Sequence, residues 1–240
     1  MDKFIYRYKY LPDMVGIEGV VGSGTIKFTN PKDFNDPFDC FPSSKFGSYS
    51  GMRAKNPQMY ESTIGRISNP AKRILAQQRM LGAMQHKVLS GEMLDIMIHG
   101  ASVLALSKIP DSILMWSHYA GYHKGAVVEF KIPVDINFQN INDAYYHLIA
   151  LDVFYSKSRP VLEYNAHPSN PETILNTLFM TKSDVWSYEQ ESRVLKNTGG
   201  GGIFPDNKKL LNAVVVGPRS PYLKDIISLA RKASLSVGHK

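Results

Sequence analysis

Two carboxylates stand one residue apart in Trp186-Ser187-Tyr188-Glu189-Gln190-Glu191-Ser192-Arg193-Val194, behind two aromatic rings and ahead of an arginine. Ser192 to Leu195 reads as a strand. Residues two apart on a strand share a face, so Glu189, Glu191 and Arg193 are expected to point into one cleft. Buried charge is costly unless it is paired. That leaves two readings: a chemical site, or an ion pair on an exposed strand edge. A carboxylate alone suggests any hydrolase, so its neighbours have to narrow the reaction.

The second constellation is Leu114-Met115-Trp116-Ser117-His118-Tyr119-Ala120-Gly121-Tyr122-His123-Lys124-Gly125. Rings with a polar handle suit binding a flat ligand while hydrogen-bonding its edge. The competing reading is core packing, strongest for Trp116. His118 and His123 are five apart, which matches neither one helical face nor one strand face, and this argues against a metal pair. Gly199 to Gly202 is followed by Ile203-Phe204-Pro205 and lacks the Lys-Ser/Thr of a phosphate loop, so a flexible hairpin is expected there. The chain has no Gly-x-Ser-x-Gly elbow, no dinucleotide fingerprint and no His-Glu-x-x-His.

The elements that must position these groups are legible from periodicity. Phe4 to Tyr10 alternates as a strand does. Asp13 to Val21 reads as a short helix ended by Gly22-Ser23-Gly24, and Thr25 to Thr29 as a strand. Asn30 to Cys40 is turn chemistry, because residues before proline avoid the helical region. Its two Phe residues are expected to pin the loop to the core. Asn56 to Gly100 reads as helical, with the clearest helix from Pro70 to Leu89, capped by Asn69 and started by Pro70. Ile74, Gln77, Leu81, Met84 and Val88 fall on one side of it, with Lys72, Arg79 and His86 opposite and Arg73 and Lys87 flanking. Val103 to Ser107, Ala126 to Ile132, Leu148 to Tyr155 and Ala213 to Val216 read as strands. Ser112 to Ala120 reads as a short helix or turn, Asn170 to Thr181 as a helix, and Pro221 to Ala233 as a final amphipathic helix. Strands, then helices, then many strands indicate an α+β fold in one domain, with a helical insertion around 56–100.

At 240 residues, 43% of them apolar and 20% charged, the chain can bury a sizeable core. The single Cys40 rules out an internal disulfide framework and a multi-cysteine zinc site. Met1 to Tyr10 has no apolar signal core, and no apolar run is long enough to span a bilayer, so a cytoplasmic protein without a membrane partner is expected. The charge of +7 points to an anionic partner. The Pro70 to Leu89 helix reads either as an ordinary solvated face or as a phosphate-tracking surface.

Taken in order, Tyr6-Arg7-Tyr8, then Phe28-Thr29-Asn30-Pro31-Lys32-Asp33-Phe34-Asn35-Asp36-Pro37-Phe38-Asp39, then Met115-Trp116-Ser117-His118-Tyr119-Ala120 with His123-Lys124-Gly125, and finally Trp186 to Arg193, resemble an uncharacterised bacterial and phage family of unknown function. The resemblance covers nearly the whole chain. More distantly, the order and type of elements are similar to the ADP-ribosyltransferase superfamily, nucleic-acid-modifying toxins in particular. That resemblance implies a mixed or antiparallel split-sheet core in a single domain over 1–240. It implies NAD as co-substrate, no metal, and transfer of ADP-ribose to a nucleic acid, RNA favoured over DNA. It further implies a toxin or anti-phage effector, with a neutralising antitoxin protein as a partner. Glu191 and Glu189 would then be catalytic. Arg7, Tyr8, Asn35, Asp36, Trp116, His118, Tyr119 and Arg193 would hold NAD, and Lys72, Arg73, Arg79 and Lys87 would hold the nucleic acid. Two alternatives stand beside this: a non-catalytic nucleic-acid-binding module, and a nuclease using His118 or His123 with Asp36 and Asp39.

Overall fold

Ala126 to Pro133 buries apolar residues on both sides because its strand lies inside the sheet: Val128, Phe130 and Ile132 are almost fully buried on one face and Val127 on the other. The computed structural model describes residues 4–47, 53–54, 57–134, 146–164 and 170–239. In chain order its strands are β1 (Phe4–Leu11), β2 (Thr25–Phe28), β3 (Ser43–Phe46), β4 (Ala101–Ser107), β5 (Ala126–Pro133), β6 (Leu151–Asp152), β7 (Phe154–Ser156), β8 (Val161–Tyr164), β9 (Thr181–Ser183), β10 (Glu191–Asn197), β11 (Gly202–Pro205), β12 (Leu211–Val216) and β13 (Ser236–His239).

The main sheet runs β13-β12-β5-β1-β4-β10-β6, antiparallel except for the β12–β13 edge. The fold is therefore α+β with a mostly antiparallel sheet. Its pairing is uneven. β1 and β5 pair along eight residues, from Phe4–Pro133 to Leu11–Ala126. β10 and β4 pair along seven, from Glu191–Ser107 to Asn197–Ala101. Between these two halves β1 meets β4 in one pair, Tyr8–Ser107. The sheet is thus split along the β1–β4 seam. Small ladders flank it: β2 with β11, β3 with β8, and β7 with β9.

One face of the sheet carries the largest core, where Phe130, Leu104, Val214 and Ile26 pack with Ile226 and Ala230 of the Leu223–Lys232 helix. The opposite face holds a smaller aromatic core of Tyr10, Trp116, Met115 and Val127 under the Ile113–Tyr119 helix. Asp13 caps the Met14–Ile17 helix by accepting from Gly16 N, and the helix widens into a π-turn over Glu18–Ser23. Gly24, at φ +68°, stops it.

The expected helical stretch is present. The Pro70–Leu89 helix is capped by Asn69 Oδ1, which accepts from Lys72 N at 3.1 Å, and Gly91 at φ +84° separates it from the Glu92–His99 helix. On the side the spacing predicts, Val88 is buried and Gln77, Leu81 and Met84 are half-buried, but Ile74 is 57% exposed. Leu148 to Tyr155 is not one strand: it divides at Val153 into β6, on the main sheet, and β7, on β9. The Gly199–Gly202 stretch is not a hairpin either. β10 and β11 pair with β4 and β2 respectively, and Gly201 crosses so close to the Asn30 and Phe28 backbone that a Cβ would clash.

Among the described residues no helix is long and apolar enough to cross a membrane. Two glycines give opposite expectations for one substitution. A Cβ at Gly125 would fall inside the contact radius of the Leu11 carbonyl oxygen, whereas at Gly82, in the Pro70–Leu89 helix, it would meet nothing within 4 Å. Gly125→Ala should cost about 3 kcal/mol or more in urea unfolding. Gly82→Ala should add up to about 1 kcal/mol, the difference in helix propensity.

Candidate functional site

The seam opens a cleft because β4 has few backbone partners on its β1 side. Val103 exchanges two 2.9 Å backbone bonds with Thr29, and Ser107 pairs with Tyr8. Between them the Ala105 carbonyl accepts from Lys9 Nζ at 3.0 Å. Buried backbone groups must find a partner, and here a side chain supplies it in place of a strand. The resulting cavity of about 370 Å³ is lined by Tyr8, Lys9, Asn35, His118, Tyr119 and both glutamates, with Phe34, Asp39 and Lys182.

Below it lies a buried charge cluster. Arg193, 1% exposed, gives Nε to Glu191 Oε1 at 2.7 Å and one terminal nitrogen to Glu191 Oε2 at 3.2 Å and Asp39 Oδ2 at 2.6 Å. Its other terminal nitrogen donates to Phe179 O at 2.6 Å and Cys40 Sγ at 3.3 Å. Lys182 Nζ lies 2.5 Å from Glu189 Oε2, 3.0 Å from Glu191 Oε2 and 3.5 Å from Asp39 Oδ2. The Tyr119 hydroxyl donates to Glu189 Oε1 at 2.6 Å and accepts from Asn35 Nδ2 at 3.3 Å. The Tyr155 hydroxyl accepts from Glu191 N at 2.8 Å.

The exposed-edge reading is overturned, since Glu189 and Glu191 are only 3% and 4% exposed and β10 lies between β4 and β6. The carboxylates do converge, but not along a strand. Glu189 ends a 3₁₀ turn, Asp184–Glu189, and Glu191 begins β10. Gln190 between them takes the left-handed conformation, at φ 44° and ψ 52°. A side chain there costs about 1 kcal/mol or more, and the bend aims both carboxylates at Lys182.

The two glutamates have opposite electrostatics. At Glu191 burial pushes the carboxyl up, but Arg193 and Lys182 outweigh it and hold the group down at about 2. At Glu189 burial prevails over Lys182 and raises the carboxyl above the ordinary range. Burial depresses the Lys9 ammonium to about 8, with the Glu191 charge opposing it. Three carboxylates, Asp39, Glu189 and Glu191, thus face two deeply buried cations, and Glu189 is the acid that gives way.

Of the residues singled out from sequence, Glu189, Glu191, Tyr8, Asn35, His118 and Tyr119 meet in the cleft. Arg193 backs Glu191 from inside the core. Trp116 does not reach the cleft: it is 1% exposed, donates to Pro110 O at 2.8 Å and packs edge-on against Tyr10. Arg7 does not line the cleft: it lies farther along β1, 3.4 Å from Asp152. Asp36 closes its own turn by accepting from Phe38 N and lines a neighbouring pocket. His123 is tied to Ser117 Oγ at 3.0 Å, outside the cleft, so of the nuclease set of His118 or His123 with Asp36 and Asp39 only His118 and Asp39 share the cleft. Lys72, Arg73, Arg79 and Lys87 do not line the cleft, and Lys87 pairs with Glu92 at 2.9 Å. No group of three or more His, Cys, Asp or Glu among the described residues is placed to hold a metal ion. Lys9 and Lys182 were missed. Lys9 sits among alternating rings and cations where Arg7 looked equivalent, and Lys182 carries no local signal.

The pKa shifts fix a pH signature. Glu191 is depressed, so its contribution to stability is complete above its ordinary value near 4.5 and lost as pH falls toward 2. Glu189 is raised, so its contribution is present below its ordinary value and lost as pH rises through the raised one. Glu191→Gln should cost about 3–5 kcal/mol at pH 7 by leaving Arg193 underpaired, and the deficit should shrink between pH 4.5 and 2. Glu189→Gln should be neutral or stabilising at pH 7. Urea unfolding of the three proteins across pH reads both.

Residues 115–194 fit a family described as a protein of unknown function, DUF2971. The matched segment contains Tyr119, Lys182, Glu189, Glu191 and Arg193, and stops short of Lys9 and Asp39. No curated protein and no solved structure matches the chain.

Proposed function

We propose that the seam cleft binds NAD and that the protein transfers its ADP-ribose to a nucleic acid, RNA before DNA, as a toxin or anti-phage effector restrained by a neutralising partner. The observation that carries this is a split-sheet cleft in which two carboxylates of opposite electrostatics share one wall with aromatic rings and a cation. Ligand pockets run from roughly 300 to 1,000 Å³. At about 370 Å³ the cavity takes a ring and a sugar, with the rest of the dinucleotide running out through its mouth.

The chemistry follows from the two carboxylates. Breaking the nicotinamide–ribose bond sends its electron pair to nicotinamide and leaves positive charge on the ribose, as in glycoside cleavage. Glu191, held ionised by Arg193 and Lys182, stabilises that charge by its fixed field. Glu189, with a raised carboxyl pKa, suits proton transfer and takes the acceptor's proton as the acceptor bonds to the sugar carbon. Tyr119 orients Glu189. Tyr8, Phe34 and His118 give the nicotinamide ring a wall, and Lys9 supplies the cation for the diphosphate that sequence reading gave to Arg7.

NAD at about 100 times its dissociation constant should stabilise the protein by roughly 2.7 kcal/mol, read as a rise in Tm. NAD labelled in its adenylate half should transfer label to RNA. Glu191→Gln and Glu189→Gln should each lower turnover at least about a hundredfold, with the Tm shift by NAD retained in Glu189→Gln. Absence of both the Tm shift and NAD consumption would sink the assignment.

A further inference from the structure

A second cavity, of about 350 Å³, lies on the other side of the Asp184–Glu189 turn. Phe38, 60% exposed, and Trp186 give it aromatic walls, and Lys157 and Arg159 bring two cations to its rim. Ser156, Thr181 and Ser183 add hydroxyls and Asp36 an acceptor. Arg159 is fixed in place: Nε and a terminal nitrogen donate to Phe41 O at 2.8 and 2.5 Å, and its guanidinium lies 5.1 Å from the Phe38 ring centre. An exposed phenylalanine held beside a fixed guanidinium serves no core. Bases stack on such rings whatever their identity, and neighbouring cations follow the phosphates.

We propose that this second cavity is a binding pocket for single-stranded nucleic acid: a base stacks on Phe38 and Trp186, Lys157 and Arg159 hold its phosphates, and Asp36 accepts from a base amino group. The pocket is one residue away from the cleft at two points, through Asp36 beside Asn35 and Thr181 beside Lys182. Lys182 Nζ also lies 5.2 Å from the Trp186 ring centre while it holds Glu189. A strand seated here presents its next nucleotide to Glu189. That presentation rests on the NAD reading, whereas the affinity for a strand does not.

The chain's other tryptophan, Trp116, is buried, so quenching of tryptophan fluorescence by a short oligonucleotide reports on Trp186. Without NAD, oligouridylate and oligothymidylate should quench it, and a mononucleotide should bind far more weakly. Phe38→Ala should weaken binding about tenfold or more, the worth of one stacked base. Lys157→Ala should lower the slope of log affinity against log salt by about 0.7, one single-strand phosphate. Neither variant should change Tm, since both side chains are exposed. Failure of the oligonucleotides to bind would overturn the pocket. So would variants that bind like the parent, or binding lost only when Lys72, Arg73, Arg79 and Lys87 are reversed. Oligonucleotide binding without NAD turnover would leave the pocket standing and remove the transferase reading. NAD turnover without oligonucleotide binding would do the reverse.

Discussion

Arg193 is the fixed point of the molecule. A guanidinium that is 1% exposed is tolerable only if its donors are all engaged. Its acceptors come from separate parts of the chain: Glu191 at the start of β10, Asp39 and Cys40 in the proline-bound loop, and the Phe179 carbonyl at the end of the Pro171–Phe179 helix. Satisfying one side chain therefore sets where the loop lies against the sheet, where β9 begins, and which way Glu191 faces. Cys40 accepts a left-handed backbone, at φ 63°, to fit this arrangement. Local strain of that kind persists only where the surroundings over-determine it.

The same cluster explains why the two glutamates differ. Arg193 spends a bidentate pair on Glu191 and reaches Asp39 but not Glu189. Lys182 has to serve all three carboxylates from 5% exposure. Glu189 is left with a shared ammonium and the Tyr119 hydroxyl. Its charged state is the least supported, so burial shows through as a raised pKa. One arrangement thus produces one acid held down well below the ordinary carboxylate range and one raised above it about a single lysine, without any difference in residue type.

Much of the frame was legible in the sequence, and the reasons for the gaps are physical. Asn69-Pro70, the alternating β1 and the apolar Ala126 to Ile132 announce themselves through caps and periodicity, which are local. The glutamates were legible as a pair, but their convergence was assigned to strand geometry when it comes from a left-handed Gln190, a conformation that side-chain type signals weakly. Arg7 and Lys9 share a face of β1, and alternation cannot tell at which point along the strand the seam opens. Lys182 and Asp39 are partners of Glu191 only through tertiary contact, so nothing near them in sequence marks them. The basic helix was legible as basic, yet composition says nothing about its distance from the cleft.

The seam itself has to be held open. Two adjacent strands with compatible edges would normally zip together, because unpaired backbone groups are costly. Here the would-be ladder is filled by substitutes: Thr29 takes Val103, Lys9 takes the Ala105 carbonyl, the Ser107 hydroxyl accepts from Ile109 N at 3.2 Å, and the Tyr10 hydroxyl donates to Ile109 O at 3.0 Å. Ser107 Oγ also donates to Glu189 O at 2.7 Å, tying the edge of the opening to the carboxylate turn. The cleft is therefore a designed interruption of the sheet, in which side chains take over backbone pairing at the level where the carboxylates arrive. Its polar walls are the residues that keep it from closing, so the groups available for chemistry and the groups that maintain the opening are largely the same.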